Sequence, residues 1–257
     1  MFAEGRGGGE PVLLALEGLR VGYRGQALLP AIDLEIRAGE VWALIGANGS
    51  GKTTLMKTIL GLMPAVGGRA RWGGSGVKVG YVPQRSSFAS NVPARVVDVV
   101  RGGACRGWSF LNPLPDRARA EAVERAMRDA GVEELAGQQF GRLSEGQKQR
   151  ALMARALASN PAIMALDEPT SAMDMASERA VFELIDALRR RRALGVLLVS
   201  HHLSVTVAFA THGLLLDQEV GLVMAGDIQS VAASEACQAR YGRLLLESIA
   251  ARGGRGG

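Results

Sequence analysis

Val41-Trp42-Ala43-Leu44-Ile45-Gly46-Ala47-Asn48-Gly49-Ser50-Gly51-Lys52-Thr53-Thr54 is the stretch on which the fold turns. Five apolar residues predict a buried strand. A glycine-rich loop follows, then residues 53–62, where Leu55, Ile59 and Leu62 recur at helical spacing. Gly46 to Thr53 matches G-x-x-x-x-G-K-[ST] in the strand–loop–helix context that the motif needs. Glycines let a backbone wrap phosphates closely, and loop N–H groups at a helix N-terminus hold negative charge. Lys52 is expected to reach the β- and γ-phosphates of ATP, and Thr53 to place its hydroxyl on Mg²⁺. Gly46, Asn48, Gly49, Ser50, Gly51 and Thr54 complete this candidate ATP-binding set.

The pattern extends outward as alternating strands and helices. Upstream, residues 12–16 and 32–36 read as strands, with a turn at 22–25 around Tyr23. Downstream, residues 64–76 are rich in glycine and proline, and 77–82 form a short strand ending at Pro83. From 92 to 160 the pattern is helical, with strong helices at 117–130 and 147–157. Then come a strand at 163–166, a helix at 178–190, a strand at 196–200, a helix through Ala210, and strands at 214–216 and 221–224. Such alternation predicts a mostly parallel α/β sheet. The helical stretch lies between two of its strands, which makes it an inserted subdomain.

A second piece of chemistry is Ile163-Met164-Ala165-Leu166-Asp167-Glu168-Pro169. An apolar strand here delivers two adjacent carboxylates at its C-terminal end, where parallel sheets bind ligands. Asp167 is the expected Mg²⁺ partner, and Glu168 the candidate base for the attacking water. By itself an Asp-Glu pair after a strand reads first as a solvated helix cap; it points to catalysis only in company with the other motifs.

Leu143-Ser144-Glu145-Gly146-Gln147 resembles the signature motif of ABC ATPases, usually LSGGQ, and stands just before a predicted helix. Read alone, Ser-x-x-Gln is also a capping box. The resemblance implies a P-loop NTPase (RecA-like) core with an N-terminal antiparallel β subdomain and an inserted α-helical subdomain. It further implies that Ser144, Gly146 and Gln147 meet the ATP of a second ATPase subunit in a head-to-tail dimer. Four more positions match the family. Tyr23 lies where an aromatic ring stacks on adenine. Gln84, in Tyr81-Val82-Pro83-Gln84, is similar to the glutamine that touches Mg²⁺ and links the site to the helical insert. Asp174, in Ser171-Ala172-Met173-Asp174, belongs to a loop that crosses the dimer interface. His201 resembles the histidine that contacts the γ-phosphate; its neighbour His202 gives no metal site, since adjacent residues diverge and no third ligand is evident. The departure is Glu145, glycine in the usual motif. A carboxylate facing a phosphate would be repelled, so Glu145 must turn away or pair with Lys148 or Arg150.

The rest of the chain limits the alternatives. Its 257 residues suit one large domain, read as 11–250 between flexible tails at 1–10 and 251–257. Apolar residues, at 47%, suffice for a core but occur in strand-length runs. A bilayer-spanning helix needs about 20 apolar residues, so transport would need a separate membrane protein. The N-terminus lacks the basic and apolar regions of a secretory signal. Cys105 and Cys237 have no metal-ligand spacing and read as reduced cytosolic thiols. The formal charge is +5, yet aromatics are only 5% and no basic stripe interleaves with them, so no nucleic-acid partner is expected. The arginines at 189–192 read as a solvated helix end favoured by the helix dipole.

Within the resembled family, one ATPase unit without fused membrane helices or coiled coils implies an importer subunit at the cytoplasmic face of the membrane. It would work with permease subunits and, indirectly, an extracytoplasmic solute-binding protein. Residues 80–87, 96–100 and the glycine-rich link from 67 to 77 resemble the subfamily importing zinc, manganese or iron; siderophore, haem and other small solutes are the alternatives, and a soluble regulatory ABC ATPase is a further one.

Overall fold

The computed structural model describes residues 10–74, 76–84, 93–104, 117–170, 173–200 and 203–242. Strand β5 (Val41–Ile45) is buried at all five positions, so it is an interior strand rather than an alternating one. It runs parallel to β9 (Gly195–Val199) on one side and to β10 (His212–Asp217) on the other. Beyond β9 lie β8 (Ile163–Asp167) and then β7 (Val79–Val82), both parallel. Beyond β10 the strand β11 (Leu222–Asp227) is antiparallel and closes the sheet. The order β11-β10-β5-β9-β8-β7 is therefore the predicted mostly parallel sheet.

A separate antiparallel sheet, β4-β1-β6, is built from β1 (Val12–Arg20), β4 (Ile32–Arg37) and β6 (Gly67–Trp72), and a short hairpin joins β2 (Gly22–Tyr23) to β3 (Gln26–Ala27). Strand β6 lies inside the stretch that its glycines and proline made look like a loop. Its pairing with β1, not its own composition, makes it a strand.

Helix α1 (Lys52–Ile59) starts one residue earlier than its apolar spacing suggests and stops sooner. Gly51 at its N-terminus has φ +95°, and a β-carbon there would approach Leu29 Cδ1 to 3.0 Å, so this entry to the helix requires glycine. Between β7 and β8 run α2 (Val96–Ala104), α3 (Arg117–Ala130) and α4 (Glu145–Leu157). One hydrophobic cluster joins these helices, through Val100, Met127 and Met153, to β5 and β8. A second joins Leu14, Ile36 and Leu55 across β1, β4 and α1. Helix α5 (Met175–Arg192) packs Phe182 against Phe209 of α6 (Leu203–Phe209), ring centroids 5.3 Å apart. Two short helices, α7 (Ile228–Ala233) and α8 (Glu235–Tyr241), follow the sheet.

The arginines ending α5 are a solvated run only in part: Arg190 and Arg191 are largely exposed, whereas Arg189 and Arg192 are mostly covered, and all four are paired. Arg189 and Arg190 both pair with Asp186, and Arg191 and Arg192 reach across to Asp129 of α3. Arg189 Nη1 also donates to the Gly39 carbonyl at 3.0 Å. Only about a fifth of the Arg189 and Arg192 side chains is exposed. The acidic partners stand on α3 and one turn back on α5, beyond what a run of like charges reveals by itself.

Candidate nucleotide site

Parallel strands bring their C-terminal ends to one edge of the sheet, and most of the predicted residues gather there. From β5, residues 46–51 curl into α1. The Lys52 ammonium lies inside this curl and donates to the carbonyls of Gly46 (2.8 Å) and Ala47 (2.7 Å). Burial lowers its pKa, while the charges of Glu168 and Asp167 raise it. Ser50 Oγ is buried without a hydrogen-bond partner among the described residues. Thr54, one residue past Thr53, shares a 2.9 Å hydrogen bond with the Tyr23 hydroxyl. That contact anchors the β2–β3 hairpin to α1 and leaves the Tyr23 ring 54% exposed, so Tyr23 is neither packed into the core nor free of the loop.

From β8 come Asp167 and Glu168. Asp167 is buried, and its Oδ1 finds no hydrogen-bond partner among the described residues. Burial first, then the Glu168 charge, pushes its carboxyl above the usual range; Lys57, the Tyr81 hydroxyl and Lys52 act against that shift. Tyr81 stands on β7 opposite Ala165, hence on the same face of the sheet as Asp167 two residues on. Its own hydroxyl is pushed up to about 12 by burial and the Asp167 charge.

Glu168 has φ +51°, uncommon for a residue with a side chain. Its N–H donates to the Val199 carbonyl at 2.9 Å, which holds the turn. Its carboxylate accepts from Gln84 Nε2 at 2.6 Å. Two residues predicted separately, from the ends of β7 and β8, are thus in contact. Backbone strain of this kind costs about 1–3 kcal/mol and persists only where the surroundings enforce it.

The signature residues open α4. Ser144 caps the helix: its Oγ accepts from the Gln147 N–H at 3.3 Å, and its own N–H donates to Gln147 Oε1 at 2.9 Å. Both readings of Ser-x-x-Gln therefore coexist. A hydroxyl that accepts still carries a proton to donate, so the cap leaves Ser144 able to bind an oxyanion. Glu145 pairs with Lys148 at 3.0 Å, the first of the two partners its position demanded. Asp174 caps α5, accepting from the backbone N–H (2.9 Å) and hydroxyl (2.9 Å) of Ser177, which hold its carboxyl below the usual range. Gly146 lies beside Ser177 at the same junction of α4 and α5. His201, Ser171 and Ala172 lie outside the described residues.

Sequence reasoning overlooked Lys57 and Tyr81 as neighbours of Asp167. Tyr81 stood in the same quoted motif as Gln84, three residues before it, and the strand period was the signal that could have found it. No helix among the described residues is long and apolar enough to cross a membrane.

Known proteins share both the sequence and the fold. The family model for ABC transporters matches residues 29–171. The zinc import ATP-binding protein ZnuC of Halorhodospira halophila is 36% identical over 213 residues, covering 83% of this chain and 77% of that protein. ZnuC of Pseudomonas entomophila is 34% identical over 208 residues, covering 81% and 76%. Among solved structures, an ABC transporter described as of metal-chelate type, in an inward-facing conformation, superposes with a TM-score of 0.78 at 28% identity, covering 89% of this chain and 88% of that one. The matched span runs from before the glycine-rich loop to just past Asp167 and Glu168, and on this ground the chain belongs to the ABC transporter family, as one of its ATP-binding, ATP-hydrolysing members.

Proposed function

We propose that this chain is the ATP-hydrolysing subunit of an importer for a divalent metal cation, zinc or manganese, acting at the cytoplasmic face of the membrane. The observation that carries its chemistry is the convergence of Lys52, Asp167, Gln84 and Glu168 at one sheet edge, with Gln84 and Glu168 2.6 Å apart. The zinc assignment draws on the ZnuC relatives and on the resemblance of residues 80–87 to metal importers.

In this reading the loop N–H groups and Lys52 bind the phosphates, with Lys52 exchanging the Gly46 and Ala47 carbonyls for phosphate oxygens. Tyr23 offers its exposed ring to the adenine. Asp167 Oδ1 is a buried carboxylate oxygen without a hydrogen-bond partner among the described residues, which suits a hard divalent cation. Asp167, Thr53 and Gln84 would hold Mg²⁺, which when bound neutralises phosphate charge. Glu168, fixed by its strained turn and by Gln84, takes a proton from the attacking water. His201 and Ser144 address the γ-phosphate, Ser144 from a second subunit. Asp174 orders the start of α5 beside that interface. Gln84 contacts Glu168 and begins the segment leading to α2, so it can pass the state of the nucleotide to helices that would meet the permease.

The test is uptake. Proteoliposomes carrying this subunit with its cognate permease should take up radioactive zinc or manganese only with ATP and the solute-binding protein. Transport of a siderophore or haem, with neither metal ion moved, would overturn the substrate reading.

A further inference from the structure

We propose that Arg240 is a charge-balancing and positioning residue of the phosphate loop, coupling α8, the last helix among the described residues, to nucleotide affinity. The inference rests on residues 46–53 being the loop that holds the nucleotide's phosphates.

Strand register brings the two regions together. In the parallel pair of β5 and β10, Leu215 lies opposite Ile45. Asp217, the last residue of β10, therefore stands level with Ala47, in the loop. The approach is close: a β-carbon on Gly46 would stand 2.6 Å from the Leu216 carbonyl oxygen. A cavity of about 330 Å³ lies between Asn48, Gly49 and Ser50 on one side and Asp217, Glu219 and Arg240 on the other.

The wall opposite the loop carries two negative charges. Asp217 is buried; its Oδ1 accepts from the N–H groups of Glu219 (3.0 Å) and Val220 (3.4 Å), and its Oδ2 pairs with Arg240 Nη1. Arg240 Nη2 donates to Glu219 Oε2 at 2.8 Å. One guanidinium, on the last turn of α8, thus spans both carboxylates. Phosphates entering the loop have the same sign as that wall. Coulomb repulsion decays slowly in partly buried surroundings, so Arg240 cancels part of a field that would oppose binding. A displacement of α8 would remove that cancellation.

Arg240→Gln should weaken ATP binding about fivefold at low salt, AMP binding less, and the loss should shrink at high salt. Dissociation constants for both nucleotides, from equilibrium titration at two salt concentrations, measure this. The double variant Asp217→Asn/Arg240→Gln restores the wild-type charge and should return ATP affinity to within about twofold of wild type. A merely structural tie would leave the double as weak as the single, since both lack the ion pair. Should Arg240→Gln fail to fold, Arg240→Lys keeps the charge and should bind ATP nearly as wild type does; a loss as large as that expected for glutamine would overturn the charge argument. Equal ATP affinity in folded Arg240→Gln and wild type would overturn the inference. Wild type that bound no ATP would overturn the phosphate-loop reading instead.

Discussion

Asp167 and Glu168 are chain neighbours with opposite surroundings. Asp167 is sealed at the end of β8 with an oxygen that has no hydrogen-bond partner among the described residues, while Glu168 is swung out by a left-handed backbone to meet Gln84. Glu168→Gln should still bind ATP yet lose turnover by orders of magnitude, and Lys52→Ala should lose nucleotide binding; phosphate release and nucleotide titration measure the two. Native turnover in Glu168→Gln would remove Glu168 as the base. Asp167 also makes a stability prediction. Burial and the Glu168 charge hold its folded-state pKa above the ordinary value of 3.8. Ionising it therefore disfavours the fold, increasingly as pH rises from 3.8 through the folded value, and fully above that. Asp167→Asn should accordingly melt at a higher temperature than wild type at neutral pH, with the gap closing as the pH falls to 3.8. Thermal unfolding across pH checks this, and a lower melting temperature at neutral pH would contradict it.

Among the elements, α4 shows how one helix end serves two ends. The Ser144–Gln147 capping box supplies helix stability, typically about 0.5–2 kcal/mol for such a cap, and leaves the Ser144 proton to donate. Lys148 pairs with Glu145 beside this cap and offsets its charge. Lys148→Ala should therefore reduce ATP turnover about threefold to tenfold by releasing a carboxylate near the phosphate, and Glu145→Gly in the same chain should recover it. Steady-state phosphate release is the readout; unchanged turnover in Lys148→Ala would show that Glu145 is restrained otherwise. The elements also mark where sequence was legible. β5, β8 and β9 are continuous apolar runs, so burial on both faces was written in their composition. β6 was not, because Gly67 and Gly68 leave no apolar period and β1 supplies its pairing. The signature, loop and Asp-Glu residues were legible because their chemistry needs particular residue types at fixed spacing. Arg240 and Asp217 were not, because only the register of β10 against β5 places them beside the loop.

On the scale of the whole molecule, the Lys52 site and the Ser144 cap belong to different parts of the fold, one following β5 and the other opening α4, the last helix of the insert. If each active centre combines them from two chains, Lys52→Ala and Ser144→Ala should each be inactive alone. Mixed, they should regain ATPase activity, because every mixed dimer holds one complete centre. Absence of recovery would mean that one chain carries every part it needs. The insert itself is bound to the core by more than its two connections: Arg191 and Arg192 of α5 reach Asp129 of α3.

The position of β5 also has a consequence for the order of synthesis. Val41 lies opposite Val196 on one side, and Trp42 opposite His212 on the other, their rings stacked 4.7 Å apart. A ribosome that has just made the glycine-rich loop has made neither neighbour of the strand that presents it. An apolar strand therefore waits, unpaired, while the whole helical insert, β8 and α5 emerge. Long-range pairing of this kind is slow and exposes sticky surface meanwhile. The loop's grip on phosphate is thus among the last properties the nascent chain acquires, and a chain halted before β9 would carry the entire motif without a sheet to hold it open.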